Sequence, residues 1–539
     1  MKRRSAVLDR LFAIDSRSLA AFRIGIGTLV LADLWTRFSA IEQHYTDSGV
    51  LSREAYARLL QVSGWQWSIH FWTGSVAGQS ALFLLTAAAA CALIAGYRTR
   101  AASVVTWALV VSLQVRNPMV LYGADQLLRL MLFWSIFVPL GAAWSLDRRR
   151  AAVANSGTTR TREIGVCPRF LSAATAALLL QPCVMYVFAG LLKSNPSWHS
   201  GDALAYALSA ETYVTPLGRV LAGFPGLVSM LGSAVPWIEI FAPVLLLMPW
   251  KTTAARRIAL PLLVAFHAAM GSALRTGLFQ PVVVVALVPF VPADVWDRVG
   301  LGCGDAGDAA GKQAASRTSR WDSALVQAVV ALLFVYGIAW NVVGLGVEEY
   351  AAQQNLGWMR EWWSQGRTGI PLSFRDYAVE RRMGGFGWIG RVAALYQRWD
   401  MFERVGPEIR GWPEISGTLT DGQKVSVLDD GAARGDPGSQ FAPQEPLAFY
   451  PGTRWLVYFT YLRTSGTQAA RELLPAVVTR DWERRHPGNK LESLQVMFVQ
   501  PSAAAGDSTA VAGSTPAKIE VWYDGPANGR GPSKARKPV

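Results

Sequence analysis

Charge is scarce in this chain. Only 17% of its 539 residues are Asp, Glu, Lys or Arg, against about 25% in soluble domains, so most of it is unsuited to water. Cysteine and histidine are rarer still, with four and five residues. There is no CxxC, no HxxxH and no other His/Cys cluster of ligand spacing, which argues against a structural zinc site. Cys91, Cys167, Cys183 and Cys303 all precede the C-terminal region, so no disulfide framework is expected there. The first apolar run is not expected to be a cleavable signal: Arg23 interrupts it and no small-residue cleavage site follows, so it reads as a retained helix. No internal repeat is visible. The net charge of +14 would suit a nucleic-acid binder, but the basic residues are not gathered on one patch, and nucleic acid is not an expected partner.

What is present is a series of apolar runs. A helix rises about 1.5 Å per residue and the bilayer core is about 30 Å thick, so 17–25 apolar residues can span it. Nine candidate spans follow: 19–36, 76–95, 101–116, 126–142, 170–192, 226–249, 257–273, 277–293 and 323–347. Basic residues crowd alternate loops, with Lys2, Arg3, Arg4 and Arg10 at the start, Arg148, Arg149 and Arg150 further on, and Lys251, Arg256 and Arg257 later. The loop Asn117 to Asp125 has no Lys or Arg. This is the positive-inside pattern. It places the N-terminus in the cytoplasm and everything after about Gly346 outside. The expected fold class is a polytopic α-helical membrane protein with a C-terminal β-rich extracytoplasmic domain, lying in the bacterial inner membrane with the lipid bilayer as its first partner.

Four regions are expected. Residues 1–347 form the membrane domain, which contains a small-residue polar linker at 302–320. Residues 348–398 form an interfacial connecting segment, with the aromatic stretch Trp358 to Trp363. Residues 399–525 form the outer domain: Ile415 to Leu428 alternates apolar and polar residues around Asp421-Gly422, a hairpin signal, and Trp455 to Leu462 reads as a strand or a short helix. Residues 526–539 read as a disordered tail.

Ionisable groups inside spans are costly and face a protein interior or a wet cavity. They are Arg23, Asp33, Arg129, Glu239 and His267. Arg23 and Asp33 are ten residues apart, about 15 Å along a helix, so each needs another partner. Lys193 ends the run Phe170 to Leu192. It is either a snorkelling anchor or a base in a partly dry pocket, where burial would raise its neutral fraction. Asn195, Trp198 and His199 line such a pocket or form an interfacial belt. Asn117 and Tyr122, in the loop RNPMVLYGAD, could meet a ligand headgroup or simply make a turn. His44, Tyr45 and Asp47 lie in the first outer loop, and His70 sits among Trp65, Trp67 and Trp72.

The segment YVFAGLLKSNPSWHSGDALAYALS resembles the catalytic-lysine segment of vitamin K-dependent γ-carboxylase in Ala189-Gly190, Lys193, Trp198, Gly201 and Tyr206. AFHAAMGSALRTGLFQPVVVV resembles that enzyme's Phe-His segment, and Leu121 to Gly123 matches one of its outer turns. DSRSLAAFRIGIGTLVLADLWTR, Asp47 to Leu51 and Trp399 to Val425 resemble the wider bacterial family named for a horizontally transferred transmembrane domain, HTTM. The resemblance implies that Lys193 is the base for a reduced vitamin K or related naphthoquinol and that His267 is a second catalytic group. It implies that Asn117, Tyr122, Trp198, Glu239 and Arg275 surround the cofactor. O2 and CO2 would be co-substrates, no metal would be needed, and a quinone-like lipid and the glutamate of a secreted or periplasmic peptide would be partners. Where that enzyme has a functional histidine before its outer turn this chain has Pro118, which cannot exchange a proton. A non-enzymatic membrane protein that binds or matures a secreted peptide is the alternative. A transporter is disfavoured because the spans do not pair as two halves.

Overall fold

The computed structural model describes residues 2–60, 65–154, 167–303, 323–345, 379–380, 382–403, 405–406, 409–428, 450–464, 468–500 and 518–529. A helix occupies each of the nine expected positions: α1 Ser16–Phe38, α2 Val76–Ala95, α3 Thr99–Arg116, α4 Gly123–Ser135, α5 Ala173–Leu192, α6 Pro225–Leu246, α7 Thr252–Ala273, α8 Phe279–Leu287 and α9 Ala324–Leu345. Five of them, α1, α2, α5, α6 and α9, are long and apolar enough to cross a membrane. The others are shorter or carry more charge, and α4 has only 13 residues.

The shorter helices are fixed at both ends of the bundle. At one end Arg23 of α1 donates to the carbonyls of Leu140, Ala143 and Trp144 at 3.0, 3.2 and 2.6 Å, past the end of α4. At the other end Arg37 of α1 meets Asp125 in the first turn of α4. The chain from Asp125 to Trp144 therefore covers the same depth as α1 from Arg37 back to Arg23. In α8 the amide of Leu278 donates to the Tyr122 hydroxyl at 2.9 Å, and beyond its far end the Val291 carbonyl accepts from Ser18 at 2.9 Å. Asp147 caps the start of α3 through the amides of Arg98 and Thr99, at 2.8 and 2.7 Å, while Arg116 at its end holds the Leu51 carbonyl at 2.8 Å. At the first end Cys167 and Cys303 lie side by side, with Cα atoms 5.8 Å apart.

The C-terminal domain combines a sheet with helices. Strands β1 (Trp412–Leu419), β2 (Lys424–Ser426), β3 (Leu491–Gln500) and β4 (Lys518–Pro526) form an antiparallel sheet in the order β2-β1-β3-β4. The β1–β2 turn falls at Asp421-Gly422, where Gly422 has φ +86°, as the hairpin signal requires. The segment 455–462 is helical, within α10 (Thr453–Thr464). Its buried residues Trp455, Tyr458, Phe459 and Leu462 recur every three or four positions, a helical period. The helix α11, Leu474–Arg485, docks on the first outer loop, where Arg484 clasps Glu42 at 2.8 and 2.9 Å.

The connecting segment expected at the interface ends instead inside the bundle. Residues 395–400 have no regular secondary structure, and their polar groups are met by side chains from mid-helix. Arg129 of α4 donates to the carbonyls of Ala394 and Tyr396 at 3.1 and 2.5 Å and lies over the Tyr396 ring. Gln126 exchanges two hydrogen bonds with the Arg398 backbone, at 2.5 and 2.9 Å. Gln181 of α5 donates to the Gln397 side chain at 2.9 Å. Non-helical backbone is tolerated at such depth only when enclosed by protein. Trp358 to Trp363, residues 304–320 of the linker and the tail from 530 lie outside the described residues.

One buried charge cluster fastens the outer domain to the bundle. Arg454 of α10 contacts Asp125 at 2.5 Å and also meets Asp33 of α1, while Arg37 binds Asp33 at 2.8 Å and meets Asp125. All four residues are buried. Replacing Arg454 by Met should cost about 3–5 kcal/mol, because it leaves two buried carboxylates sharing the single cation of Arg37. Chemical unfolding followed by proteolysis of the outer domain measures this, and an unchanged midpoint would contradict the role given to the cluster. Beside it, burial and the nearby guanidiniums of Arg454 and Arg37 push His44 down to about 3. An unfolded histidine titrates near 6.5. Between these values only the unfolded chain takes the proton, so this contribution to stability is complete above about pH 6.5 and is lost as pH falls towards 3. Compared with wild type, a His44→Phe variant should lack that part of the acid slope.

Candidate functional site

Lys193 is the C-cap of α5 and it faces inwards. The residue is only 4% exposed. Its ammonium nitrogen lies 2.7 and 3.0 Å from the two carboxylate oxygens of Glu239 in α6, and 3.3 Å from the Ala189 carbonyl one turn back. The face of the Trp198 ring lies 5.5 Å away, within cation–π range. Lys193 is therefore not a solvent-facing anchor.

Gly190 permits this approach. A Cβ at that position would lie 2.7 Å from Ile240 Cγ1, 3.1 Å from the Pro236 carbonyl oxygen and 3.3 Å from Glu239 Cβ. The bare backbone of α5 thus lets α6 come close enough for Glu239 to reach the lysine. Pro236 and Pro243 lie within α6, where each removes one backbone N–H donor.

One helical step deeper stands a second polar group. Tyr186, two turns before Lys193 on α5, has its hydroxyl 2.6 Å from Nε2 of His267 in α7. The His267 Nδ1 meets the side-chain oxygen of Gln280 in α8, whose amide donates to Thr276 at 3.1 Å. The roles in this chain follow the orientation of the Gln280 amide, and the Thr276 hydroxyl, able to donate or accept, is compatible with either orientation. With the amide nitrogen towards Thr276, as here, the Gln280 oxygen accepts from His267 Nδ1–H. His267 Nε2 is then the acceptor, and the Tyr186 hydroxyl donates to it. Tyr186 and Gln280 are absent from the sequence reading, although the seven-residue step from Tyr186 to Lys193 marks the same face of α5.

Tyr122 lies on the far side of Phe279. The Phe279 ring packs edge-on against His267 with centroids 6.3 Å apart, and a Cβ on Gly123 would come within 3.2 Å of that ring. Arg454 lies over the Tyr122 ring at 4.8 Å. The outer domain covers both groups through its first residues: Trp198 donates to the Phe402 carbonyl at 2.9 Å, Ser197 donates to Val405 at 2.8 Å, and Gly123 faces Met401.

The structure thus gathers Lys193, Glu239 and Trp198 in one group, with His267 adjoining through Tyr186 and Tyr122 through Phe279. Asn117 stands apart. Its amide nitrogen donates to the His44 carbonyl at 2.8 Å and its oxygen caps the short turn at Met119, so it has structural work. Arg275 has an exposed side chain, and its backbone amide binds Tyr213 at 2.7 Å. Among the described residues no group of three or more His, Cys, Asp or Glu is placed to hold a metal ion.

A bundle of apolar helices, five of them long enough to cross a membrane, with a C-terminal domain packed on one end defines a membrane protein. The family model for the HTTM domain matches residues 12–296, more than half of the chain, and the chain belongs to that family. No curated protein and no solved structure matches it.

Substituting Gly190 by Ala should drive α5 and α6 apart and cost about 1–3 kcal/mol. Thermal unfolding tests this, and a Gly190→Ala protein as stable as wild type would show that the close approach is dispensable.

Proposed function

We propose that this protein is a carboxylase-like membrane enzyme that uses Lys193 and Glu239 as an acid–base couple on a reduced naphthoquinone. The reading takes all nine helices as crossings of the bacterial inner membrane. The end bearing Arg23, Arg98 and Arg256 is cytoplasmic, and the outer domain is extracytoplasmic. The observation that carries the chemistry is the burial of Lys193 against Glu239 at 2.7 Å.

An ammonium ion is no base, so the couple must first move its own proton. Transfer from Lys193 to Glu239 across the short contact leaves a free amine and a neutral acid, and in a dry site this discharges two buried charges at once. The amine can then take a proton from a bound acid. A naphthoquinol suits the surroundings, since Trp198 offers an aromatic face 5.5 Å from the amine. When bound, such a group supplies the acidic hydroxyl and the electrons for oxygen reduction, and CO2 addition to a peptide glutamate is the coupled outcome by family resemblance. Tyr186 and His267 would hold a second proton position, with Tyr186 as donor. The covering segment at Met401 and Phe402 would keep water from the couple.

The alternative reading, a peptide-binding protein without redox chemistry, is favoured by the turn at Pro118. Pro118 has no titratable side chain, and the Asn117 amide is engaged with His44. In that reading the lysine and glutamate are only an interhelical tie.

Substitution separates the two. Lys193→Ala and Glu239→Gln should each lower oxygen-dependent naphthoquinol oxidation by about 100-fold or more, the usual scale for a proton-transfer group, while far-ultraviolet circular dichroism stays unchanged. If Lys193→Met with Glu239→Leu is folded and turnover persists, the couple is not the base. Absence of turnover by the wild-type protein with every naphthoquinol tried supports the peptide-binding reading.

A further inference from the structure

The turn between α2 and α3 carries two cations on one aromatic ring. α2 is long and apolar enough to cross a membrane, so in a bilayer its end at Ala95 stands at the edge. The chain turns there through Gly96, Tyr97 and Arg98. The Arg98 guanidinium lies 5.8 Å from the centre of the Tyr97 ring. The Arg150 guanidinium, from the short helix Leu146–Ala154, lies 4.4 Å from the same centre. Both are within cation–π range. Both arginines are exposed and Tyr97 is half-buried. Among the described residues neither guanidinium has an ion-pair or hydrogen-bond partner.

The backbone holds the pair in place. Arg98 has φ +43°, a left-handed conformation that Gly or Asn adopts at less cost. Asp147 keeps it there, accepting from the amides of Arg98 and Thr99 at 2.8 and 2.7 Å and from the Thr99 hydroxyl at 2.6 Å. Asp147 belongs to the same short helix as Arg150, so one carboxylate fixes both arginines relative to each other. It is spent on the turn and forms no ion pair with either guanidinium. Two like charges on one ring repel each other, and an anion that meets both relieves this.

The surroundings select the anion. Leu84 and Leu85 on α2 and Val104 and Val105 on α3 are exposed apolar residues. Val104 lies about 8 Å along α3 from its start. A phosphate that carries acyl chains satisfies both parts. Its oxygens accept from the forked guanidiniums, and its chains lie along the apolar helix faces. A zwitterionic headgroup brings an ammonium of its own, which two arginines repel.

We propose that Arg98 and Arg150, set on Tyr97, bind the phosphate of an anionic phospholipid at the bilayer edge. The site is separate from the lysine couple, and its test does not depend on how Lys193 is read.

The full chain in a neutral detergent is titrated with phosphatidylglycerol or with phosphatidylcholine of the same chains, and bound lipid is counted by native mass spectrometry. Wild type should hold one phosphatidylglycerol more tightly than phosphatidylcholine by about tenfold or more. The Arg98→Gln/Arg150→Gln double variant should lose that preference while its circular dichroism stays unchanged. Should it fail to fold, Arg150→Gln alone carries the test. Arg149→Gln removes the exposed charge next to Arg150, leaves the ring pair intact, and should keep most of the preference. Inorganic phosphate at the lipid's concentration should not displace it. No preference in wild type, a preference kept without the two arginines, or an equal loss in Arg149→Gln would each overturn the site. Displacement by inorganic phosphate would overturn the lipid as its occupant.

Discussion

The four-charge cluster of Asp33, Arg37, Asp125 and Arg454 is the constraint on which the rest depends. Two of its members come from α1, one from the first turn of α4 and one from the outer domain. Its net charge is zero, and each carboxylate is shared by two guanidiniums. Taking four charges out of water is expensive, and well-packed apolar residues would often be as stable. What an ionic cluster adds is direction. Arg454 also donates to the Val120 carbonyl at 2.9 Å and lies over Tyr122, so α10 can seat in one register only. That seating fixes the turn that presents Tyr122 and Gly123, and with it the packing of Phe279 against Gly123 and His267.

The same logic explains the inserted stretch after α9. A linker that merely joined a bundle to an outer domain could stay in water. Here residues 394–398 occupy space among α4, α5 and α9; buried Arg129 and half-buried Gln126 satisfy that backbone, and buried Gln181 meets the Gln397 side chain. Immediately afterwards the chain emerges to place Met401 against Gly123 and the Phe402 carbonyl against Trp198. The insertion is thus what delivers the covering segment over both halves of the site.

Much of this was legible in the sequence, for specific reasons. The nine helical positions followed from runs of apolar residues, of which five are long and apolar enough to cross a membrane. The hairpin at Asp421-Gly422 followed from the need for positive φ. Arg23 and Asp33 were seen to need separate partners, and they have them: Arg23 binds carbonyls, whereas Asp33 binds Arg37 and Arg454. The pairing of Asp33 with Arg37 was readable as an i,i+4 step. The contact of Arg454 with Asp125 was not, because 329 residues separate them and no local pattern encodes it. Segment 455–462 was ambiguous because a run of aromatics satisfies strand propensity and helix periodicity alike. The depth of residues 394–398 was illegible for a related reason: polar, irregular sequence reads as exposed unless its buried partners are known.

In the site, the sequence marked the ends of the contacts and missed what joins them. Lys193 and Glu239 were each singled out, 46 residues apart, but neither implied the other. The joining signal is Gly190. Its lack of a side chain sets the distance between α5 and α6, and that distance decides whether Glu239 reaches Lys193 or leaves it to find water. A lysine that has its own carboxylate in a dry site no longer needs an outside acceptor for its resting proton. The glycine, more than the lysine, is therefore what separates a helix anchor from a group able to exchange protons.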